Sequence, residues 1–201
     1  MQNNALTLFI LMFAVLFTAC DDNKTKDTFT GEFETASDIQ AGTNGFTFYN
    51  LSNGEVVSDS NSTNWDIGFK DAGFEIFIIT NGGVRGPGNG GAVLLDVAFD
   101  EILEVPANDQ FNVEADGEYA INPAPGGWWI YTGENPAYEA NHAVLPKTPH
   151  TILVRTANGD YAKIEVMSYY EGNPDTSSPE FVDLRTRPES GYFTFKYEVI
   201  N

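Results

Sequence analysis

Apolar residues recur at every second position along much of this chain, which is the spacing of β-strands rather than of helices. In the closing segment YFTFKYEVI, residues 192–200, apolar side chains alternate with polar ones. In NWDIGFK, the side chains of Trp65, Ile67 and Phe69 are predicted to share one face. FEIFII at 74–79 is apolar except for one glutamate, which is typical of a strand covered on both sides.

Asn-Gly pairs separate many of these segments. They occur at 44–45, 53–54, 81–82, 89–90 and 158–159. The last pair lies between TILVRT and YAKIEVMSYY and predicts a β-hairpin, because a type I′ turn needs positive φ at both central residues. Helical spacing is limited to Phe99, Ile102 and Leu103, where a short helix or a bend in a strand is expected. We therefore predict a mostly β fold, an antiparallel meander or sandwich with at most one short helix.

The first nineteen residues, MQNNALTLFILMFAVLFTA, contain an apolar run that ends in small residues before Cys20. This pattern is typical of a secretory signal, and the ending FTAC resembles a bacterial lipobox, in which the cysteine becomes a lipidated N-terminus. The alternatives are an ordinary signal peptide with a chance cysteine, or a buried helix, since MQNNA carries no Lys or Arg. We predict a lipoprotein signal peptide at 1–19, a polar tether at 20–27 and a single β domain at 28–201. Because Cys20 is the only cysteine, the domain is expected to fold without an internal disulfide.

The formal net charge is −19, with only ten Lys and Arg residues against 29 Asp and Glu residues. A nucleic-acid surface needs clustered cations, and the chain contains no such cluster. Anionic lipid headgroups are unsuitable electrostatic partners for the same reason. We predict no nucleic-acid partner, and contact with a membrane only through the lipid anchor.

The segment TNGGVRGPGNGG at 80–91 contains six glycines. A phosphate-binding P-loop needs Gly-Lys-Ser/Thr opening a helix, and a dinucleotide fingerprint also needs a helix after the glycines. Here the glycines run into GAVLLD, which favours a strand. We predict an ordered loop that packs between strands, and the alternative is a loop that lines a ligand cleft. Arg85 at its tip is the one side chain there that could touch a ligand, and the alternative, which we favour, is that it is exposed to solvent.

The residues needed for catalysis or for a zinc or calcium site are not arranged in a known pattern. There is no Gly-x-Ser-x-Gly nucleophile, and no CxxC, HExxH or DxDxDG motif. Paired carboxylates for glycoside hydrolysis could be drawn from the 29 acids, but spacing alone selects no pair. We predict that the protein is not an enzyme.

Both histidines lie in the segment NHAVLPKTPH, where His142 and His150 stand eight residues apart around Pro146 and Pro149. Proline fixes φ and pushes the preceding residue into an extended conformation, so this segment is predicted to be a stiff loop. Eight residues span at most about 26–29 Å, which permits both imidazoles to approach one flat cofactor from opposite sides. Imidazole is a common ligand of haem iron. The alternative is that each histidine is a partly exposed loop residue paired with a carboxylate.

Three stretches together resemble the HmuY family of Bacteroidetes-type bacteria. They are NWDIGFK, TNGGVRGPGNGGAVLL and NHAVLPKTPHTILVRTANGDYAKIEVMSYY, followed by the closing YFTFKYEV. Proteins of that family are lipidated, mostly β and associated with the outer membrane, and the best-known members take haem from host carriers. The resemblance implies a cell-envelope lipoprotein, surface-exposed or periplasmic, with haem as cofactor. It also implies a host haem carrier or an outer-membrane haem receptor as partner.

Haem binders of this family hold the iron through a pair of His or, in some members, Met side chains. The resemblance therefore implies His142 and His150 as candidate axial ligands, with Met167 as an alternative ligand. Met167 is the only methionine beyond the predicted signal, so a Met pair within this chain is impossible, and a His–Met or single-His site stays open. No metal other than haem iron is expected.

Further candidates for the haem pocket are aromatic and cationic. Trp128, Trp129 and Tyr131 precede the histidines and could cover a haem face, and the alternative is that they belong to the sandwich core. Arg155 and Lys147 are candidates for contacting the haem propionates. Arg155, like Lys163, has an alternative use as the cross-strand partner of an acid.

The function that follows is a haem-binding, hemophore-like surface lipoprotein for haem and iron acquisition. The alternative is a haem-independent surface interaction module of the same fold that binds a protein or a glycan.

Overall fold

The computed structural model describes Asp27–Ile200. The predicted signal peptide and Cys20, with all of the tether except Asp27, lie outside these described residues. Eleven strands occur within them, and the first six are β1 Glu34–Gln40, β2 Thr47–Asn50, β3 Glu55–Val57, β4 Ile67–Asp71, β5 Ile76–Thr80 and β6 Gly91–Leu95. The others are β7 Trp129–Tyr131, β8 Val144–Pro146, β9 Thr151–Arg155, β10 Tyr161–Tyr170 and β11 Ser190–Ile200. The helical elements are two single-turn 3-10 helices, Phe99–Glu101 and Asn108–Gln110, and α1, Pro179–Val182.

The strands form a five-stranded sheet, β1-β11-β10-β9-β6, a four-stranded sheet, β3-β2-β4-β5, and the small hairpin β7-β8. Every pairing of these strands is antiparallel. The two large sheets face each other through aromatic side chains. Phe69 of β4 lies 4.5 Å from Phe193 and 5.4 Å from Phe195 of β11, measured between ring centroids. The predicted mostly β, antiparallel fold is confirmed.

The hairpin predicted at Asn158-Gly159 is formed by β9 and β10. Its turn differs from the predicted type I′. The Thr156 N–H donates to the Asp160 carbonyl at 2.8 Å, which leaves a three-residue loop between them. Gly159 alone in this loop takes positive φ, at 95°. This is the combination seen in hairpins whose last loop residue is left-handed.

The alternation in NWDIGFK is interrupted by a bend. Ile67 and Phe69 point into the main core between the two large sheets. Trp65 packs instead with Phe77 and Ile79 in a separate cluster, so the prediction that it shares their face is wrong. The bend follows from Asp66, which is buried and accepts hydrogen bonds from the backbone N–H groups of neighbouring loops at 2.8 and 3.0 Å. The buried strand predicted in FEIFII is confirmed from Ile76 onward, since all of β5 is buried. Phe74 lies before the strand and is 84% exposed, so its predicted burial is wrong.

The helix content is small, as predicted, but the α-helix is not where the spacing suggested it. Phe99 begins a 3-10 helix of one turn, whereas α1 lies at Pro179–Val182. The signal for α1 is local: the Ser178 side chain accepts a hydrogen bond from the Phe181 N–H, and Pro179 occupies the first helical position. Serine as N-cap followed by proline is a favoured helix start.

The outer face of the five-stranded sheet is covered by the N-terminal segment 27–33 and by residues 99–105. Lys163 of β10 is 0% exposed there, and its Nζ lies 3.2 Å from Oε2 of Glu198 on β11. These two residues are direct cross-strand partners, which confirms the use suggested for Lys163. The Glu198 carboxylate also accepts hydrogen bonds from the backbone N–H groups of Thr30 and Gly31, so it fixes the N-terminal segment to the sheet.

Candidate functional site

His142 lies in the turn between β7 and β8, and this turn is tied at several points. The His142 backbone takes a left-handed conformation, with φ of 53°. Its N–H donates to the Gly133 carbonyl at 2.8 Å, and the Arg187 guanidinium donates to its carbonyl at 3.0 Å. The buried Thr132 hydroxyl donates to the Ala140 carbonyl and accepts the N–H of the residue after His142, both at 2.8 Å. The histidine is therefore presented by a rigid turn.

The His142 imidazole lies at the surface between a tyrosine and a glutamate. Its side chain is 43% exposed, and Nδ1 lies 2.8 Å from the hydroxyl oxygen of Tyr131 on β7. Nε2 lies 3.8 Å from the Glu134 carboxylate, which is itself exposed. Tyr131 is 47% exposed and its ring centroid lies 5.9 Å from that of His142, so aromatic surface is available beside the imidazole. When Nδ1–H donates to the Tyr131 oxygen, the lone pair of Nε2 is free to bind a metal.

His150 lies in a different environment at the other end of β8. Its side chain is only 10% exposed, and Nε2 lies 2.8 Å from a carboxylate oxygen of Asp96, although neither ring nitrogen makes a well-aligned hydrogen bond. It lines a cavity of about 340 Å³ together with Pro149 and Glu165. His142 and His150 share no contact, so the structure does not bring the two predicted ligands together around one slot.

The tryptophans belong to the core. Trp128 and Trp129 are fully buried, and their indole N–H groups donate to the carbonyls of Ile76 and Pro123 at 3.1 and 3.0 Å. With both faces packed and both donors satisfied, these side chains offer no free surface to a ligand in this structure. Their use as pocket walls is therefore corrected to the alternative, the sandwich core. Tyr131 is the member of the predicted aromatic group that lies at the surface beside a histidine.

The predicted cationic and sulfur-containing residues lie apart from His142. Arg155 donates from Nε to the Asn89 carbonyl at 2.7 Å and so belongs to the glycine loop. No carboxylate among residues 27–200 lies within 4.0 Å of it, so the suggested pairing with an acid is wrong. Lys147 donates to the Gly126 carbonyl at 3.2 Å. Met167 is exposed on β10 and has no contact in common with His142.

The glycine loop at 80–91 closes around the buried side chain of Asn81. The Asn81 amide donates to the carbonyls of Ser62 and Trp65 at 2.9 and 2.8 Å, and its oxygen accepts the Gly88 N–H at 3.0 Å. A Cβ at Gly86 would lie 2.1 Å from the Asn81 side-chain oxygen. The glycines are therefore needed because the loop packs against itself, as the sequence predicted.

Arg85 at the tip of this loop is partly buried, not freely exposed. Its guanidinium carbon lies 5.0 Å from the ring centroid of Tyr119. Below it, the buried Glu114 carboxylate accepts the Thr80 N–H at 3.2 Å. Burial raises the pKa of Glu114, and the hydrogen bonds and the charge of Arg85 only partly offset this effect. Sequence reasoning missed Glu114, because nothing in its local pattern distinguishes it from the other 28 acids.

Sequence reasoning also missed the residues that build the His142 turn. Arg187 donates to the carbonyls of Asn141 and His142 from a distant part of the chain. Such long-range contacts leave no sequence signal. Glu134 lies only eight residues before His142, but its orientation depends on the turn.

Over residues 27–200 no group of three or more His, Cys, Asp or Glu side chains is arranged to hold a metal ion. Over the same residues no helix is long and apolar enough to cross a membrane.

Comparison with known proteins identifies the family. The family model described as HmuY protein matches residues 43–197. The apo HmuY analog TFO from Tannerella forsythia matches at 18% identity with a TM-score of 0.50, covering 90% of this chain and 100% of that chain. Apo PinO from Porphyromonas gingivitis matches at 14% identity with a TM-score of 0.52, covering 86% of this chain and 99% of that chain. No curated protein sequence matches. These structures share the fold, and the family match, which spans most of the sequence, shows that the chain belongs to the HmuY family.

Proposed function

We propose that this protein is a haem-binding surface lipoprotein that acquires haem for its iron, with the His142 turn as the haem site. The observation that carries the proposal is the exposed imidazole of His142, held at Nδ1 by Tyr131 at 2.8 Å in a chain of the HmuY family. Bound haem would supply an iron atom that an imidazole nitrogen can ligate and a large apolar disc, and His142 and Tyr131 are the residues that would hold it.

The residues of the turn fit this group in three respects. The His142 backbone is fixed on both sides, so the ring loses little freedom on binding. Tyr131 can accept a hydrogen bond from Nδ1–H, which orients Nε2 as the ligand atom. The exposed ring of Tyr131 provides apolar surface for a flat ring system.

The arrangement favours one imidazole ligand from this chain. His150 is nearly buried at the other end of β8 and shares no contact with His142. Met167 on β10 also shares no contact with His142. A single ligand on an exposed surface suits reversible binding, in which haem is taken from a host carrier and passed to an outer-membrane receptor. Anchoring through a lipidated Cys20 and a location in the cell envelope are part of the proposal, and the signal-like sequence before Cys20 supports them.

Titration of the purified protein with hemin tests the proposal through the Soret band. Wild-type protein should shift the band, His142→Ala should lose the shift, and His150→Ala should retain it. If His142→Ala behaves like wild type, the ligand assignment is wrong. If wild type produces no Soret change, the haem proposal fails, and the haem-independent interaction module of the same fold becomes the better hypothesis.

A further inference from the structure

A second candidate site lies on the far side of the glycine loop. There a cleft of about 470 Å³ is lined by Asn89, Asn108, Arg155 and Tyr161 and by four glycines, Gly83, Gly88, Gly90 and Gly159. Three of these glycines already donate their N–H groups inside the protein: Gly88 to Asn81 Oδ1 at 3.0 Å, Gly90 to the Asn81 carbonyl at 2.8 Å and Gly159 to the Thr156 carbonyl at 3.1 Å. The groups that the cleft offers a ligand are therefore its polar side chains. None of these residues contacts His142.

Arg155 is held in this cleft without an acidic partner. Nε donates to the Asn89 carbonyl at 2.7 Å, and Nη1 donates to Asn108 Oδ1 at 3.4 Å. The Phe111 ring lies below the guanidinium, with its centroid 5.8 Å from Cζ. Nη2 has no hydrogen-bond acceptor among residues 27–200, and no carboxylate there approaches the group within 4.0 Å. Nη2 is therefore left to donate to a bound anion.

Asn108 is also oriented in advance. Its Oδ1 accepts the Tyr161 hydroxyl at 2.7 Å as well as the Arg155 bond. Both acceptor interactions fix which end of the amide carries the oxygen, so the amide NH₂ group is left to donate to a ligand. Asn89 carries a second side-chain amide at the same cleft, with only a long 3.5 Å contact to the Ala157 carbonyl.

We propose that this cleft binds a small carboxylate that also carries hydroxyl groups, the chemistry of an acidic sugar. Arginine matches the planar, two-oxygen geometry of a carboxylate, and side-chain amides match hydroxyls. The net charge of −19 opposes any anion, but this repulsion is screened beyond about 8 Å at physiological salt. The site is independent of the proposed haem site.

The test is a titration of the full protein with sodium glucuronate, followed by amide NMR. We expect the N–H signals of Gly83, Gly88, Gly90 and Gly159 to shift with saturation, and glucose and sodium acetate to bind more weakly. Arg155→Gln should weaken binding about tenfold or more, because a charge-assisted hydrogen-bond pair is lost. Lys147→Gln removes the same charge elsewhere and should leave binding unchanged.

Several outcomes overturn the proposal. They are an absence of shifts at these glycines, equal effects of acetate and glucuronate, and equal weakening by Arg155→Gln and Lys147→Gln. If Arg155→Gln fails to fold, Tyr161→Phe serves instead. It keeps the guanidinium and releases Asn108, so it should weaken glucuronate binding severalfold, and unchanged binding contradicts the assignment.

Discussion

Replacing Lys163 by Met should destabilise the domain strongly, because it leaves the Glu198 carboxylate buried without its cation. The Lys163 ammonium lies 3.2 Å from Glu198 Oε2 and donates to the carbonyls of Phe99 and Ile102, both at 3.1 Å. Lys163 is 0% exposed, so water cannot replace these contacts. Methionine fills a similar volume and isolates the loss of the charge from the loss of packing.

The size of the expected stability loss follows from the burial of the Lys163–Glu198 ion pair. Removing one partner of a buried ion pair costs about 3–5 kcal/mol, since the remaining charge is left uncompensated. The double variant Lys163→Met/Glu198→Gln should recover part of this loss, because the neutral amide needs no cation. It should not recover all of it, because the carbonyls of Phe99 and Ile102 remain without a donor.

The pH dependence supplies an independent check. Burial alone would raise the pKa of Glu198, but hydrogen bonds from Thr30 and the charge of Lys163 outweigh it, and the net pKa is lowered. In wild type this group contributes stability above the ordinary glutamate pKa, and the contribution is lost as pH falls through the folded value. In Lys163→Met the pKa of Glu198 should rise, so the deficit relative to wild type should shrink as pH falls and the carboxyl becomes neutral.

Urea unfolding followed by tryptophan fluorescence measures these differences at several pH values between 4 and 8. A loss below about 1 kcal/mol at pH 7, or a deficit that does not change with pH, contradicts the account of a buried and compensated pair. A double variant no more stable than the single variant contradicts the role assigned to Glu198.

Two further predictions concern the loops that hold the sheets together. Gly88→Ala would place a Cβ 2.6 Å from the Asn81 carbonyl oxygen and 2.8 Å from the Ala157 Cα, so we expect a loss of about 1–3 kcal/mol in urea unfolding. Gly45→Ala has open space and should lose much less, and equal losses would contradict the packing argument. Burial raises the pKa of Asp66 despite two backbone hydrogen bonds. The Asp66 carboxylate therefore binds a proton more readily in the folded protein than in the unfolded chain. The stability of wild type relative to Asp66→Asn should therefore fall as pH rises from 3.8 through the raised value, and a difference that stays flat would be contrary to this expectation.

The parts of the fold that could be predicted from sequence are those that local pattern controls. Alternation in YFTFKYEVI and in YAKIEVMSYY identified β11 and β10, and Asn158-Gly159 placed the hairpin between β9 and β10. The turn type could not be predicted, because it depends on how Thr156 and Asp160 pair across the loop.

The candidate site was predictable only in part. The sequence singled out His142 and Tyr131, but nothing in it indicates that the two side chains meet at 2.8 Å. Spacing also suggested that His142 and His150 could share a ligand. In the structure they lie beyond opposite ends of the three-residue strand β8 and have different surroundings. The contacts of Arg187 and Arg155 depend on distant segments, and the register of those segments is set by the packed sheets rather than by local residues.

The attachment of Thr30 and Gly31 to Glu198 has a mechanical consequence. A pull on the N-terminus would reach this junction before it reached β1, the edge strand that follows it in the chain. The load would then pass into β11, which is flanked by β1 and β10, so several rows of backbone hydrogen bonds would share it. The edge strand is in this way shielded from being peeled off one bond at a time.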